Sequence, residues 1–155
     1  MKDLRDKIVA PLAMVFLLAM FVYSGVNKVA RFDKKVNTLS TKLSCSLPVA
    51  RIGMAGVIFL EIVLSIYLAA YFFAAPHLLS SPRVPLRVTK ALTWTAMACV
   101  ALFLAFLVVV TFIYHPPQRK RMIPFLSNVT VFGGFLLVLS MVIGHIKSER
   151  RRVLA

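Results

Sequence analysis

The sequence predicts an all-α integral membrane protein built as an up-down-up-down bundle of four helices. Three observations predict it. The 155 residues are 60% hydrophobic with only 5 Asp+Glu, and the mean hydropathy is +0.86, a balance outside the range of ordinary aqueous domains. Four apolar stretches, at about 8–29, 52–73, 91–114 and 125–146, are each long enough to cross a hydrocarbon core of about 30 Å, which takes roughly 20 helical residues. The connections are short, so successive helices alternate in direction and both termini fall on one side of the membrane.

The first stretch begins with MKDLRDK followed by IVAPLAMVFLLAMFVY, which imitates a signal peptide. It runs too long for a signal-peptide core and lacks an A-x-A-like cleavage site, so we read it as a retained span. The connection that follows, ARFDKKVNTLSTKLSCSLPVAR, places Phe32, Val36, Leu39 and Leu43 at helical spacing. That pattern predicts an amphipathic interfacial helix with those residues facing inward. The second span contains VIFLEIVLSIYL and the fourth NVTVFGGFLLVLSMVIG. Between the second and third spans, PHLLSSPRVPLRVTK carries three prolines and predicts an irregular interfacial loop; HPPQRKRMIP predicts a stiff turn with a basic tip. Residues 1–155 are therefore expected to form one transmembrane domain with basic tails and no aqueous domain.

The formal net charge is +14. With the predicted topology, ten of the 19 Lys+Arg lie on the terminal side and nine on the other, so the positive-inside rule assigns no orientation. Both faces are strongly basic. This predicts contact with anionic headgroups or with acidic partner subunits on both sides, as for a membrane packed between a shell and a nucleic-acid interior. The basic loops lack interleaved aromatics, which argues against sequence-specific nucleic-acid binding. Cys45 and Cys99 form no C-x-x-C pair and read as free residues rather than a disulfide or metal knuckle. His77 and His145 fall on the terminal side and His115 on the other, so they make neither a shared metal site nor a bis-histidine haem site. No metal, cofactor or catalytic group is expected from these residues. The pairing of copies into a homo-oligomer is left open.

An ionisable group inside a span is expensive and needs a reason. Glu61 is the one acid within a span, and a span starting at Ile52 puts it roughly 14 Å deep. It should face the protein interior, sharing a helix face with Val57, Ser65 and Leu68, and be either neutral or paired with a cation. Antiparallel neighbours bring Ser24, Asn27 and Lys28, at the end of the first span, and Asn128, at the start of the fourth, into the same half of the bundle. We therefore expect an intramembrane polar cluster of Ser24, Asn27, Lys28, Glu61 and Asn128, with Lys28 reaching Glu61 directly, through Asn128, or through water. As a register-fixing clasp it would contribute about 1 kcal/mol; the other use of such a cluster is a proton or quinol site. Gly25, Gly53, Gly56, Gly133 and Gly134 are expected to let helices approach closely.

These residues resemble the DoxX-like family of small four-helix membrane proteins. The resemblance rests on S-G-x-x-K at Ser24, Gly25 and Lys28, the lone Glu61 in the second span, and N-x(4)-G-G-F-L-L from Asn128 to Leu137. It implies a place in a membrane oxidoreductase assembly, with quinone as the cofactor in reach of Lys28 and Glu61. The long PHLLSSPRVPLRVTK connection, the basic loops and the RRR tail lie outside it. The residues by themselves favour a structural or accessory component of a larger membrane assembly, with a viral internal-membrane or capsid-associated protein as one form of it. A DoxX-like subunit of a quinone-linked oxidoreductase complex and a small proton-coupled transporter are the alternatives. The chain lacks nucleophile–base pairs, metal clusters and phosphate loops, and one buried acid is little material for a coupled pathway.

Overall fold

The computed structural model describes residues 8–81, 84–114 and 122–154. Four helices are long and apolar enough to cross a membrane, Ala10–Ala30, Leu47–Leu78, Leu86–Tyr114 and Met122–Lys147, the mark of an integral multi-pass membrane protein. The chain divides into two compact units, Met1–Ala70 and Tyr71–Ala155. The division falls inside one helix, Ser65–Ser80.

In the first unit, α1 (Ala10–Ala30) is followed after the single residue Arg31 by α2 (Phe32–Leu43). Arg31 leaves helical geometry at φ −125° and ψ 37°, and its carbonyl accepts the Lys35 amide at 3.0 Å, so α2 restarts with its own first turn. Asp33 in that turn and Lys42 in the last each sit at the favourable end of the helix dipole. Ser44 closes α2 in the left-handed conformation at φ 50°, and the Cys45 amide returns to the Ser40 carbonyl at 3.1 Å, a turn more often built on glycine. Ser46 is extended and its carbonyl receives the Ala50 amide at 3.0 Å, with Pro48 in the first turn of α3 (Leu47–Phe59), where its missing N–H costs nothing. A π-helical turn, Leu60–Leu64, joins α3 to α4 (Ser65–Ser80).

The amphipathic helix forms where the spacing predicts it, and part of its apolar side packs within its own unit. Val36 and Leu39 are buried, Phe32 is half-buried and Leu43 is exposed. Leu39 lies against Gly53 of α3, 3.6 Å from where a Cβ would stand. Leu43 shares the helix face of Val36 and Leu39 and is exposed beside the Ser44 turn.

The span limits also shift. The second long helix starts at Leu47 rather than Ile52 and runs through Pro76 to Ser80, so the first part of PHLLSSPRVPLRVTK is helix and not loop. An apolar flank, FFAAPHLL, offers no water to satisfy a broken backbone, so continuing past one missing N–H is the cheaper course. α5 (Leu86–Tyr114) begins five residues before Ala91. The Pro85 carbonyl receives the amides of Val88 at 2.9 Å and Thr89 at 3.3 Å, and Thr89 is buried while Arg87 and Lys90 are exposed. α6 runs Met122–Leu154, eight residues beyond Ile146. His115 and most of HPPQRKRMIP lie outside the described residues.

The second unit packs α5 against α6. Phe103 and Phe135 stack with centroids 4.8 Å apart, Asn128 donates to Thr111 Oγ1 at 3.0 Å, and Val100, Val138 and Val142 are buried. The paired positions run in opposite chain order, as antiparallel neighbours require. Cys99 is buried and Cys45 half-buried, and both are free.

Candidate functional site

The polar groups of the first unit converge where the last turns of α1 meet the π-helical turn. Lys28 Nζ lies 2.7 Å from both Glu61 Oε1 and Oε2 and 2.5 Å from Ser24 Oγ. Ser24 Oγ in turn donates to Glu61 Oε1 at 3.3 Å. Three oxygens thus surround an ammonium that has three donors to give. Ser24 and Lys28 are four residues apart, one above the other on a single helix face, and the carboxylate bridges from the neighbouring helix. The Lys28–Glu61 contact is direct, with Glu61 only 4% exposed and Lys28 20%.

Gly25 is what allows this approach. A Cβ at position 25 would stand 2.6 Å from Ile62 Cγ1, 3.2 Å from Ile62 Cδ1 and 3.3 Å from Glu61 Cβ. The bare backbone of α1 at Gly25 therefore seats the Ile62 side chain and the Glu61 Cβ of the π-helical turn. The π-helical turn itself is a local departure from α-helix that recurs at functional sites, and here it carries the acid.

The other candidates divide. Asn27 is half-buried, one residue around α1 from Lys28, and takes none of the cluster's hydrogen bonds. Asn128 bonds to Thr111 within the second unit. Gly53 makes ordinary contact with Leu39, whereas a Cβ at Gly56 or Gly133 would meet no described atom within 4 Å, so close packing on those two glycines is not what the described residues use them for. Gly134 is half-buried. On the predicted face of Glu61, Ser65 and Leu68 are buried and Val57 is half-buried.

The two helices that meet at Glu61 differ in length. α1 has 21 residues, or about 31 Å, which matches the hydrocarbon thickness. The second long helix, Leu47–Leu78, has 32 and exceeds it by half. Glu61 Cβ stands at the level of Gly25, five residues before the end of α1 at Ala30.

Beyond this cluster, Val15, Leu18, Val22, Ala69 and Ser65 belong to an open apolar groove of about 670 Å³ between α1 and the start of α4. Ser65 is fully buried and its hydroxyl has no hydrogen-bond partner among the described residues. An unmet buried hydroxyl costs stability. Ser65→Ala is therefore expected to leave thermal unfolding in detergent unchanged or to stabilise the fold by up to about 1 kcal/mol; a clear loss of stability would mean that the hydroxyl has a partner in the folded protein.

A second polar group was missed in the sequence. Tyr71 hydroxyl lies 2.9 Å from His145 Nδ1 and 3.3 Å from Thr93 Oγ1, and Thr93 donates to the Thr89 carbonyl at 2.9 Å. The rings of Tyr71 and Phe72 both border His145. His145 is thus tied into the second unit rather than serving only as an interface residue. The antiparallel argument that groups Lys28 with Glu61 also places Tyr71, Thr93 and His145 at one level, and that was the available signal.

Among the described residues no three His, Cys, Asp or Glu side chains come together to hold a metal ion. No family model, curated protein or solved structure matches the chain.

Proposed function

We propose that the chain is a multi-pass membrane protein serving as a structural or accessory component of a larger membrane assembly, with its four spans arranged up-down-up-down and both termini on one side. The observation that carries this reading is the closure of the Lys28–Glu61–Ser24 cluster. The donors of Lys28 are directed at oxygens of its own chain, and the one acid described in a span is engaged by both. Such a group fixes helix register well and offers a substrate or a moving proton little. Basic segments on both faces then supply contacts to acidic subunits or anionic lipid.

The alternative is a DoxX-like subunit of a quinone-linked oxidoreductase complex, and it draws on the convergence of Ser24, Gly25, Lys28 and Glu61, the residues that carry that resemblance. The two readings differ in their neighbours. Extraction of the protein in mild detergent, followed by identification of co-migrating chains, is expected to return capsid-type or other non-redox membrane components. Flavoprotein or oxidase subunits in stoichiometric amount would overturn the accessory reading in favour of the redox one.

A further inference from the structure

Hydroxyls on the regular helices of this chain find a partner in their own backbone. Thr38, Thr41, Thr93, Thr95 and Thr130 each donate to the carbonyl four residues back, at 2.9 or 3.0 Å, the local bond that an α-helix offers such a side chain. Ser65 does not. Its hydroxyl is fully buried and has no partner among the described residues, although the carbonyl four residues back is that of Glu61. The π-helical turn Leu60–Leu64 lies directly before it, and the wider spacing of such a turn takes that carbonyl out of reach. The Ser65 amide bonds to the Ile62 carbonyl, three residues back.

An uncommon backbone form and an unmet buried hydroxyl thus occur at one place, and each costs stability. A regular α turn would remove both. It would also turn the helix. A π turn holds one residue more than an α turn, so closing it rotates α4 against α3 by about 100° and shifts it by about 1.5 Å. α1 touches both sides: it packs on α3 and on the π-helical turn, and its Leu18 and Val22 share a groove with Ser65, Ile66 and Ala69 of α4. One of these sets of contacts must be given up when the turn closes. The residues in the turn are the ones that α1 grips most firmly. Ile62 and Glu61 seat on Gly25, and Lys28 Nζ holds both carboxylate oxygens of Glu61 at 2.7 Å. The ion pair therefore opposes the closure that Ser65 favours.

We propose that Leu60–Leu64 is a two-state joint, held in its π form by the Lys28–Glu61 pair and closing to an α turn, with the Ser65 hydroxyl on the Glu61 carbonyl, when that pair is released. The clasp is then a latch as well as a register device. Whatever takes Lys28 away from Glu61 turns α4 relative to α3, and the balance between the two forms shifts by as much as the lost pair had favoured one of them. The proposal rests on the geometry of the clasp and not on which assembly the chain joins.

The test measures distances between nitroxide pairs by electron–electron double resonance on the full chain in detergent, in a Cys45→Ser/Cys99→Ala background. One pair joins α1 to α4, at Phe16→Cys and Ala70→Cys; the other joins α1 to α3, at Phe16→Cys and Ile52→Cys. All three labelled positions are exposed. Wild type should give one distance for each pair. Lys28→Met/Glu61→Leu should produce a second distance in at least one pair, with a population raised roughly tenfold or more over wild type. Glu61→Gln, which keeps the side-chain volume, should move the same pair in the same direction by less. Adding Ser65→Ala to Lys28→Met/Glu61→Leu should shift the population back toward the wild-type distance, because the α form then gains no hydroxyl bond. Wild-type distances in both clasp variants would overturn the proposal, as would a second population that Ser65→Ala leaves unchanged. A featureless spread of distances in both clasp variants would overturn it too, since the pair would then prevent general loosening of the helices rather than closure of a joint.

Discussion

Lys28→Met is expected to destabilise the protein by about 3–5 kcal/mol, the usual result of stranding a buried carboxylate. Among the described hydrogen bonds Glu61 then keeps that from the Ser24 hydroxyl, at 3.3 Å, on a side chain only 4% exposed. Glu61→Leu should cost less. Lys28 is 20% exposed and sits near the end of α1, so its ammonium swings toward the headgroups once its partner is gone. The double substitution Lys28→Met/Glu61→Leu should recover most of the loss, since an apolar pair replaces both charges together. Glu61→Gln, which keeps an acceptor for Lys28, should fall between wild type and Lys28→Met. Denaturant unfolding in detergent micelles, read as a double-mutant cycle, checks the set. Wild-type stability in Lys28→Met would end the clasp interpretation. Normal folding and partner content in Glu61→Gln, combined with loss of a quinol-dependent electron transfer, would move the site from structure to chemistry.

The expected cost also revises the estimate of about 1 kcal/mol that intramembrane hydrogen bonds suggest. That figure describes polar groups that find other partners when separated. Here the partners are opposite full charges, both largely covered, so the penalty for removing one exceeds the net value of the pair. The pair itself need not stabilise the fold by more than a few tenths of a kcal/mol over two apolar side chains; what it supplies is a single register of α1 against the π-helical turn.

Four spans and the Lys28–Glu61 pairing were legible because both follow from period and order. Apolar length identifies spans whatever the packing, and antiparallel neighbours bring the end of one helix beside the start of the next. The amphipathic α2 was legible from the spacing of Phe32, Val36 and Leu39. Its orientation was not, because an apolar face fits hydrocarbon and protein equally well, and only the contact of Leu39 with Gly53 decides. The helix ends around Pro76 and Pro85 were misread for a related reason. Proline reports a missing N–H, and whether the chain breaks there depends on what else could satisfy the backbone. Asn128 was placed near Glu61 by its level alone, and its hydrogen bond to Thr111 is one that a search for charged residues overlooks. The π-helical turn leaves no periodic mark in five apolar-rich residues, LEIVL.

Gly25→Leu is expected to separate α1 from the π-helical turn and to break the ion pair with it. Even the first added carbon meets Ile62 Cγ1 at 2.6 Å and Glu61 Cβ at 3.3 Å, and the second of these sits on the residue whose carboxylate Lys28 must reach. Gly25→Ala moves Ile62 and costs about 1–3 kcal/mol, the range for overfilling a packed site. Gly25→Leu adds branched bulk that no rotamer of Ile62 accommodates, so the helices part and Glu61 loses Lys28 as well. Its penalty should equal or exceed that of Lys28→Met, and combining Gly25→Leu with Lys28→Met should add little further, because the first change has already removed what the second removes. Ile62→Ala supplies the control: it deletes the atoms at 2.6 and 3.2 Å, so Gly25→Ala/Ile62→Ala should be more stable than the sum of its single changes. Strict additivity in that pair would show that α1 and the π-helical turn do not meet at Gly25.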